Sequence, residues 1–241
     1  MSPPVALISG ASRGIGRATA LALARLGYRL ALVARTEADL RETAALTGAA
    51  EADVLPLPGD MTDPEQARAL VERAADRFGR LDALVNVAGL APVRSIEQTS
   101  IEEWHAVLNT NLSAPFYLTK HAWPHLRRAA AASGQKSVIV NISSMSARDP
   151  FPGFAAYGAA KAALNVFALV AAREGQADGI AVHTIAPGAV ETGMFRQLMT
   201  PDQYPTEKTL APAEVADLVA QCVTGRLAST AGEVLYVRKT L

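Results

Sequence analysis

The chain has 241 residues, with 23 Lys+Arg set against 23 Asp+Glu, 50% hydrophobic residues and one cysteine. That length and apolar content support a real core and exclude disorder as the main description. Zero formal net charge removes any bulk argument for nucleic acid or a charged membrane surface as a partner, and the lone Cys222 can neither close an intrachain disulfide nor supply a metal cluster.

Residues 1–4 carry no basic region ahead of an apolar stretch, and no run of about 18 apolar residues occurs. The expectation is a cytoplasmic protein with no membrane span.

Along the chain, short apolar runs alternate with longer segments of helical periodicity. Val5–Ser9 is a continuous apolar run that leads into Ser9-Gly10-Ala11-Ser12-Arg13-Gly14-Ile15-Gly16, then into residues 17–26 with apolar side chains at helical spacing. Arg29–Ala34 is a second run, followed by Arg35-Thr36 and a helical segment at Glu37–Leu46. Residues 54–57 are strand-like and precede Asp60-Met61. Asp63-Pro64-Glu65-Gln66 then opens a helix with a capping residue, proline at the first helical position and glutamine at the third. Ala67, Leu70, Val71, Ala74 and Phe78 keep the helical spacing, and Gly79 can end it.

Residues 84–87 form the next strand candidate and run into Asn86-Val87-Ala88-Gly89. Ser100-x-x-Glu103 is a capping box at the head of a helix carrying Asn109-Thr110-Asn111-Leu112. Pro115 fits poorly inside a continuous helix, so a break is expected just before it, at Asn111. Residues 138–142 precede Ser143-Ser144-Met145, and Tyr157-Gly158-Ala159-Ala160-Lys161 lies in a helical stretch. Residues 180–185 precede Pro187-Gly188-Ala189-Val190-Glu191-Thr192, and Val234–Val237 completes seven strand candidates.

Runs that are apolar throughout must be covered on both faces. Strand and helix in alternation imply right-handed βαβ units. The expected fold is α/β: a Rossmann-type, doubly wound, seven-stranded parallel sheet with helices on both faces. Ligands then sit at the carboxyl ends of the strands. With no linker, repeat or low-complexity segment, residues 1–241 read as a single domain. The longest irregular stretch, 187–210, is expected to be a lid or binding loop.

Two groups of residues carry chemistry of their own. The glycines after the first strand permit backbone angles that side chains resist, and they let a diphosphate approach a helix N-terminus. Arg13 and Arg35 can hold a further phosphate through forked, charge-assisted hydrogen bonds. Tyr157 and Lys161 stand at i and i+4, on one helix face. A free phenol has a pKa of about 10, too high for efficient proton exchange near neutrality. A cation about 4 Å away contributes about 4 kcal/mol at an effective dielectric of 20, so Lys161 is expected to bring Tyr157 toward a usable pKa. Ser144 follows the fifth strand at the sheet edge where a site must lie; Ser143 competes with it.

The Gly-x-x-x-Gly-x-Gly turn and the motifs after strands two to six resemble those of the short-chain dehydrogenase/reductase family, in the family's order and over nearly the whole chain. Within the family, the nearest resemblance is to the 3-oxoacyl-carrier-protein reductase-like group. Ser9 stands where threonine is usual, and Val87 replaces the second asparagine of Asn-Asn-Ala-Gly. Residues 236–241 read Tyr-Val-Arg-Lys-Thr-Leu, where many members have Asp-Gly-Gly after the last strand.

The resemblance implies an oxidoreductase that moves a hydride between a nicotinamide and a carbonyl or secondary alcohol. Gly10, Ser12, Arg13, Gly14, Ile15 and Gly16 would hold the diphosphate. Ala34 occupies the place where NAD-preferring members carry an acid, so Arg35 and Arg13 favour NADP(H). Asp60 and Met61 would contact the adenine, the alternative for Asp60 being a turn aspartate. Asn86, Ala88 and Gly89 would form the wall by the ribose. Tyr157 would give or take the proton, and Ser144, thirteen residues before it, would hold the substrate oxygen. Lys161 would also bind ribose hydroxyls, and Asn111 would hold a water that relays protons to Lys161, or cap a helix, or both. Pro187 and Gly188 would turn the chain over the nicotinamide, where Val190 and Thr192 would meet the carboxamide.

The other class of reading is a dinucleotide-binding sensor or scaffold without turnover. A broken Tyr157 or Lys161 would favour it, and neither is broken. The histidines are scattered, and no metal site is expected. Residues 155–172 are apolar nearly all round, more than one sheet face can cover, which points to a homodimer or homotetramer. Met145, Phe151, Phe154, Met194, Phe195 and Met199 offer apolar surface for a small-molecule substrate, and Arg148 and Arg196 at the rim could meet an anionic tail or simply be solvated.

Overall fold

The structure, a computed structural model, describes residues 2–239. Thr240 and Leu241, part of the C-terminal departure noted above, lie outside the described residues.

Seven strands form one parallel sheet: β1 (Val5–Ser9), β2 (Arg29–Ala34), β3 (Val54–Pro58), β4 (Ala83–Asn86), β5 (Ser137–Ile142), β6 (Ile180–Pro187) and β7 (Val234–Val237). Their spatial order is β3-β2-β1-β4-β5-β6-β7, so the winding reverses between β1 and β4. That reversal opens the crevice in which doubly wound sheets bind ligands.

The sheet is covered on both faces, as its unbroken apolar strands require. Val5 and Leu7 of β1 pack with α3 (Pro64–Phe78), α5 (Ala114–Ser133) and α6 (Ala155–Gly175). Ala6 and Ile8 face the other way, toward α1 (Gly14–Arg25), α2 (Glu37–Leu46) and α8 (Pro212–Val223), where Cys222 is fully buried. Asp63 caps α3 by accepting from Glu65 N and Gln66 N, and Gly79 ends it at φ 74.

Four expectations are corrected. The helix after the glycine turn starts at Gly14, three residues before the apolar periodicity begins, because the turn itself is its first turn. The strand expected at 84–87 is Ala83–Asn86; the N–H of Val87 leaves the ladder and donates to Ser9 Oγ at 3.0 Å.

The disruption expected at Asn111 is a widening and not a full break: α4 (Ile101–Leu108) gives way to a π-helical turn, Asn109–Ser113, which joins it to α5. Pro115 falls in the first turn of α5, where its missing N–H is tolerated, and the wider turn absorbs it. Finally, 187–210 is not irregular: it holds α7 (Gly193–Leu198) and a short 3₁₀ turn, Thr206–Lys208.

By length and composition α6 could cross a bilayer, a feature that counting unbroken apolar runs does not register. In the fold one face of it, with Ala160, Leu164 and Ala168, is core.

Candidate active site

The glycine turn is built by close approach. Gly10 and Gly14 adopt φ 66 and 57. A Cβ on Gly10 would lie 2.8 Å from the backbone of Ala88, and one on Gly16 would lie 2.1 Å from the carbonyl oxygen of Gly10. Ser9 pins the facing loop, its Oγ accepting from the N–H groups of Val87 and Ala88 at 3.0 and 3.3 Å. The open N-terminus of α1 is thus held bare of side chains, as a diphosphate requires. Arg13, the residue before α1, and Arg35 beyond β2 are both exposed, free to meet a phosphate. The residues present fit a nicotinamide dinucleotide.

Arg17 is a contributor that pattern reading missed. Its Nε donates to the carbonyl of Ser12 and to Thr43 Oγ1 at 3.1 and 3.0 Å, its Nη2 to the same carbonyl and to Glu42 Oε2 at 2.7 and 2.8 Å, and its Nη1 to Glu42 Oε1 at 3.0 Å. It fastens the turn to the helix that follows Arg35.

Asp60, Met61 and Asn86, expected at the cofactor, also have packing or hydrogen-bond partners within the chain. Asp60 Oδ1 accepts from the N–H and hydroxyl of Thr62 at 2.9 and 2.8 Å, which is the turn role, and the Met61 side chain is buried in the core. Asn86 is 2% exposed and donates to Asn141 Oδ1 at 2.9 Å, across the β4–β5 ladder in which the two are direct partners. Its side chain therefore serves the sheet. Ala88 lies against Gly10 of the glycine turn, and a Cβ on Gly89 would lie 3.1 Å from Asn111 Oδ1.

Asn111 is fully buried in the π-helical turn. Its Nδ2 donates to the carbonyls of Leu90 and Val107 at 2.8 and 2.9 Å, and its Oδ1 accepts from Leu90 N at 3.3 Å. The side chain ties the loop after β4 to the helix. Pro115 has no N–H to give to the Asn111 carbonyl four residues earlier, so that oxygen loses its ordinary helical partner.

Tyr157 and Lys161 share one face of α6, and Lys161 Nζ stands 5.7 Å from the centroid of the Tyr157 ring. Lys161 is 3% exposed and donates to the carbonyl of Ile142, the last residue of β5, at 2.8 Å. The neighbouring serines separate by role. Ser143 is buried with its hydroxyl on the Lys161 carbonyl at 3.4 Å, whereas the Ser144 hydroxyl lies beside the Tyr157 phenol and accepts from Ser146 N at 3.1 Å. Phe154 meets the Tyr157 ring edge-on at 5.5 Å.

The electrostatics differ from expectation. Burial pushes the Tyr157 phenol above its usual value, with the Ser144 hydroxyl opposing the shift, and burial pushes Lys161 down to about 7. Lys161 does not bring Tyr157 down here, because loss of water around both groups outweighs a cation directed at the Ile142 carbonyl.

Beyond β6, Gly188 N donates to Val237 O at 2.8 Å and Val190 is buried. Thr192 Oγ1 donates to Val190 O at 3.3 Å and caps α7 by accepting from Phe195 N. Its methyl group is the nearest atom to a Cβ placed on Gly14, at 3.3 Å, which brings this segment against the glycine turn. Met194 reaches toward Gly89 and Phe154 is buried, while Phe151 is mostly exposed. Arg148 stacks over Tyr236, 5.3 Å from its centroid. Arg196, partly buried, is not at liberty to meet an anionic tail: it is paired with Glu191. Among the described residues no group of three His, Cys, Asp or Glu could hold a metal ion.

A family model described as short chain dehydrogenase matches residues 4–203. The 3-oxoacyl-[acyl-carrier-protein] reductase of Escherichia coli K12 is 33% identical over 239 residues, covering 97% of this chain and 95% of the relative. A 3-ketoacyl-(acyl-carrier-protein) reductase from Brucella melitensis, solved in complex with NADH, superposes with a TM-score of 0.90 at 28% identity, covering 98% of this chain and 96% of that one. Levodione reductase superposes with a TM-score of 0.89 at 26% identity over the same shares of the two chains.

Proposed function

The chain belongs to the short-chain dehydrogenase/reductase family, and from that we propose that it is an NADP(H)-dependent reductase of apolar ketones, aldehydes or 3-oxoacyl thioesters. One observation carries the reading. Tyr157, Ser144 and Lys161 meet at the carboxyl end of β5, on the edge of the sheet that also carries the glycine cradle after β1.

When bound, the reduced nicotinamide supplies a hydride to the carbonyl carbon. Gly10, Ser12, Arg13, Gly14, Ile15 and Gly16 would hold the diphosphate, and Arg13 and Arg35 a 2′-phosphate, with no acid at Ala34 to repel it. Ala88, Gly89, Pro187, Gly188, Val190 and Thr192 would border the rest of the cofactor. Tyr157 gives its phenolic proton to the developing alkoxide, a stronger base than the phenolate left behind. Ser144 donates to the same oxygen and fixes it beside the phenol. Lys161, on the same helix face as Tyr157, would bind ribose hydroxyls of the cofactor, and Asn111 keeps the loop after β4 in place.

The similarity to reductases of acyl-carrier-protein thioesters and of levodione supports carbonyl substrates of apolar character. Met145, Phe154, Met194 and Phe195 are suited to receive them. We further read residues 1–241 as one cytoplasmic domain that assembles as a homodimer or homotetramer. Val166, Leu169 and Val170 of α6 and Phe116 of α5 remain exposed, an apolar face that a second copy would cover. The intact Tyr157 and Lys161 favour turnover over a sensor or scaffold role. The test is a panel of ketones, aldehydes, acyl thioesters and polyols followed by NADPH absorbance; higher efficiency with polyols would refute the apolar pocket.

A further inference from the structure

Residues 191–209 are gathered around one ion pair. Arg196 Nε donates to Glu191 Oε1 at 2.6 Å and Nη2 to Oε2. Nη1 donates to the carbonyls of Tyr204 and Met199 at 2.8 and 3.3 Å, and Nη2 also to Thr206 Oγ1 at 3.0 Å. All five N–H donors of the guanidinium are thus engaged. Thr209 adds its hydroxyl to Glu191 at 3.1 Å.

The ends of this segment are tied separately, by backbone bonds from Leu210 N to Ala189 O and from Glu191 N to Leu210 O. The ion pair is therefore not needed to close the segment; it shapes the interior. That interior faces functional ground. Thr192, next to Glu191, lies against Gly14, and Met194 reaches Gly89. Phe195, under the Arg196 guanidinium, meets Tyr204 edge-on at 5.4 Å.

We propose that Glu191 and Arg196 are positioning residues that hold segment 193–209 as a preformed cover over the carbonyl substrate. The inference rests on the reading of this segment as the substrate cover. A cover ordered beforehand does not have to be ordered when substrate binds, so its benefit falls on substrate affinity. Hydrogen bonds from Arg196 hold the Glu191 carboxyl down to about 2, so the pair stays charged throughout the neutral range. Lysine cannot replace the arginine, since an ammonium lacks the fork that reaches a carboxylate and two carbonyls together.

The experiment compares Arg196→Met, Arg196→Lys and Glu191→Gln with the unaltered protein. It reads kcat and KM for one ketone, Kd for NADPH, melting temperature, and the rate of limited proteolysis within 193–209. Arg196→Met should raise the ketone KM about tenfold or more while leaving the NADPH Kd within about twofold. It should also speed cleavage, with Arg196→Lys falling between. The double variant with Glu191→Gln should be little worse than Arg196→Met alone, because both remove one unit.

Unchanged KM and unchanged cleavage in Arg196→Met would overturn the proposal. So would parallel weakening of ketone, NADPH and melting temperature in Arg196→Lys, which marks general loss of structure. If the unaltered protein turns over no carbonyl compound, the proposed function fails instead. Proteolysis then still decides the latch: faster cleavage supports it and unchanged cleavage overturns it.

Discussion

Lys161 Nζ stands 5.7 Å from the centre of the Tyr157 ring and gives its hydrogen bond to the carbonyl of Ile142 at 2.8 Å. The ammonium is buried against the end of β5, and desolvation lowers it to about 7 from 10.5. A lysine whose pKa is lower in the folded than in the unfolded chain costs stability while it is charged. The cost is full below about 7 and fades as pH rises toward the unfolded value. Lys161→Met should therefore raise the melting temperature more at about pH 6 than at about pH 9. An equal or larger gain at the higher pH would contradict the burial argument.

Cofactor choice follows from charge. Arg35→Asp removes an exposed cation beyond β2 and adds an anion, so NADPH affinity should fall about tenfold or more, tenfold being about 1.4 kcal/mol. Binding titrations with both dinucleotides check this. Equal affinity of the unaltered protein for NADH and NADPH would remove the role given to Arg13 and Arg35.

The glycine turn makes a paired prediction. Gly16→Ala places a Cβ 2.1 Å from the Gly10 carbonyl oxygen, whereas Gly193→Ala meets nothing within 4 Å. The first should cost about 1–3 kcal/mol or more and weaken dinucleotide binding, as overpacking against fixed backbone does. The second should leave both nearly unchanged. Chemical denaturation and NADPH titration read the two effects.

What the sequence could and could not disclose follows the range of the interactions. The strands were legible because burial on both faces makes them unbroken apolar runs. The Tyr157–Lys161 pair was legible because helical geometry alone brings i and i+4 together. Ends were misjudged where a side chain distant in sequence decides them, as Ser9 does for Val87. The turn role of Asp60 was open as an alternative because its partner, Thr62, is local. The sheet role of Asn86 was not, because Asn141 is brought beside it only by the β4–β5 register. The Glu191–Arg196 pair leaves no signature in the sequence because α7 is six residues long and starts with glycine, too short for a periodic pattern.

Assembly is tested on the outer face of α6. Val166 is 64% exposed and Val170 46%, beside Phe116 at 43% on α5. Light scattering at micromolar concentration should show a dimer or tetramer, and Val166→Asp, which puts a charge into the covered face, should shift it toward monomer. A monomeric unaltered protein would refute the assembly.

The most direct test of the central claim is NADPH-dependent reduction of an apolar ketone by the unaltered protein and by Tyr157→Phe, with NADPH affinity measured on both. Removing only the phenolic hydroxyl should lower turnover by about 10²-fold or more, the range for positioned proton transfer, while NADPH binding survives. Turnover retained in the Phe variant would place the proton donor elsewhere and contradict the assignment.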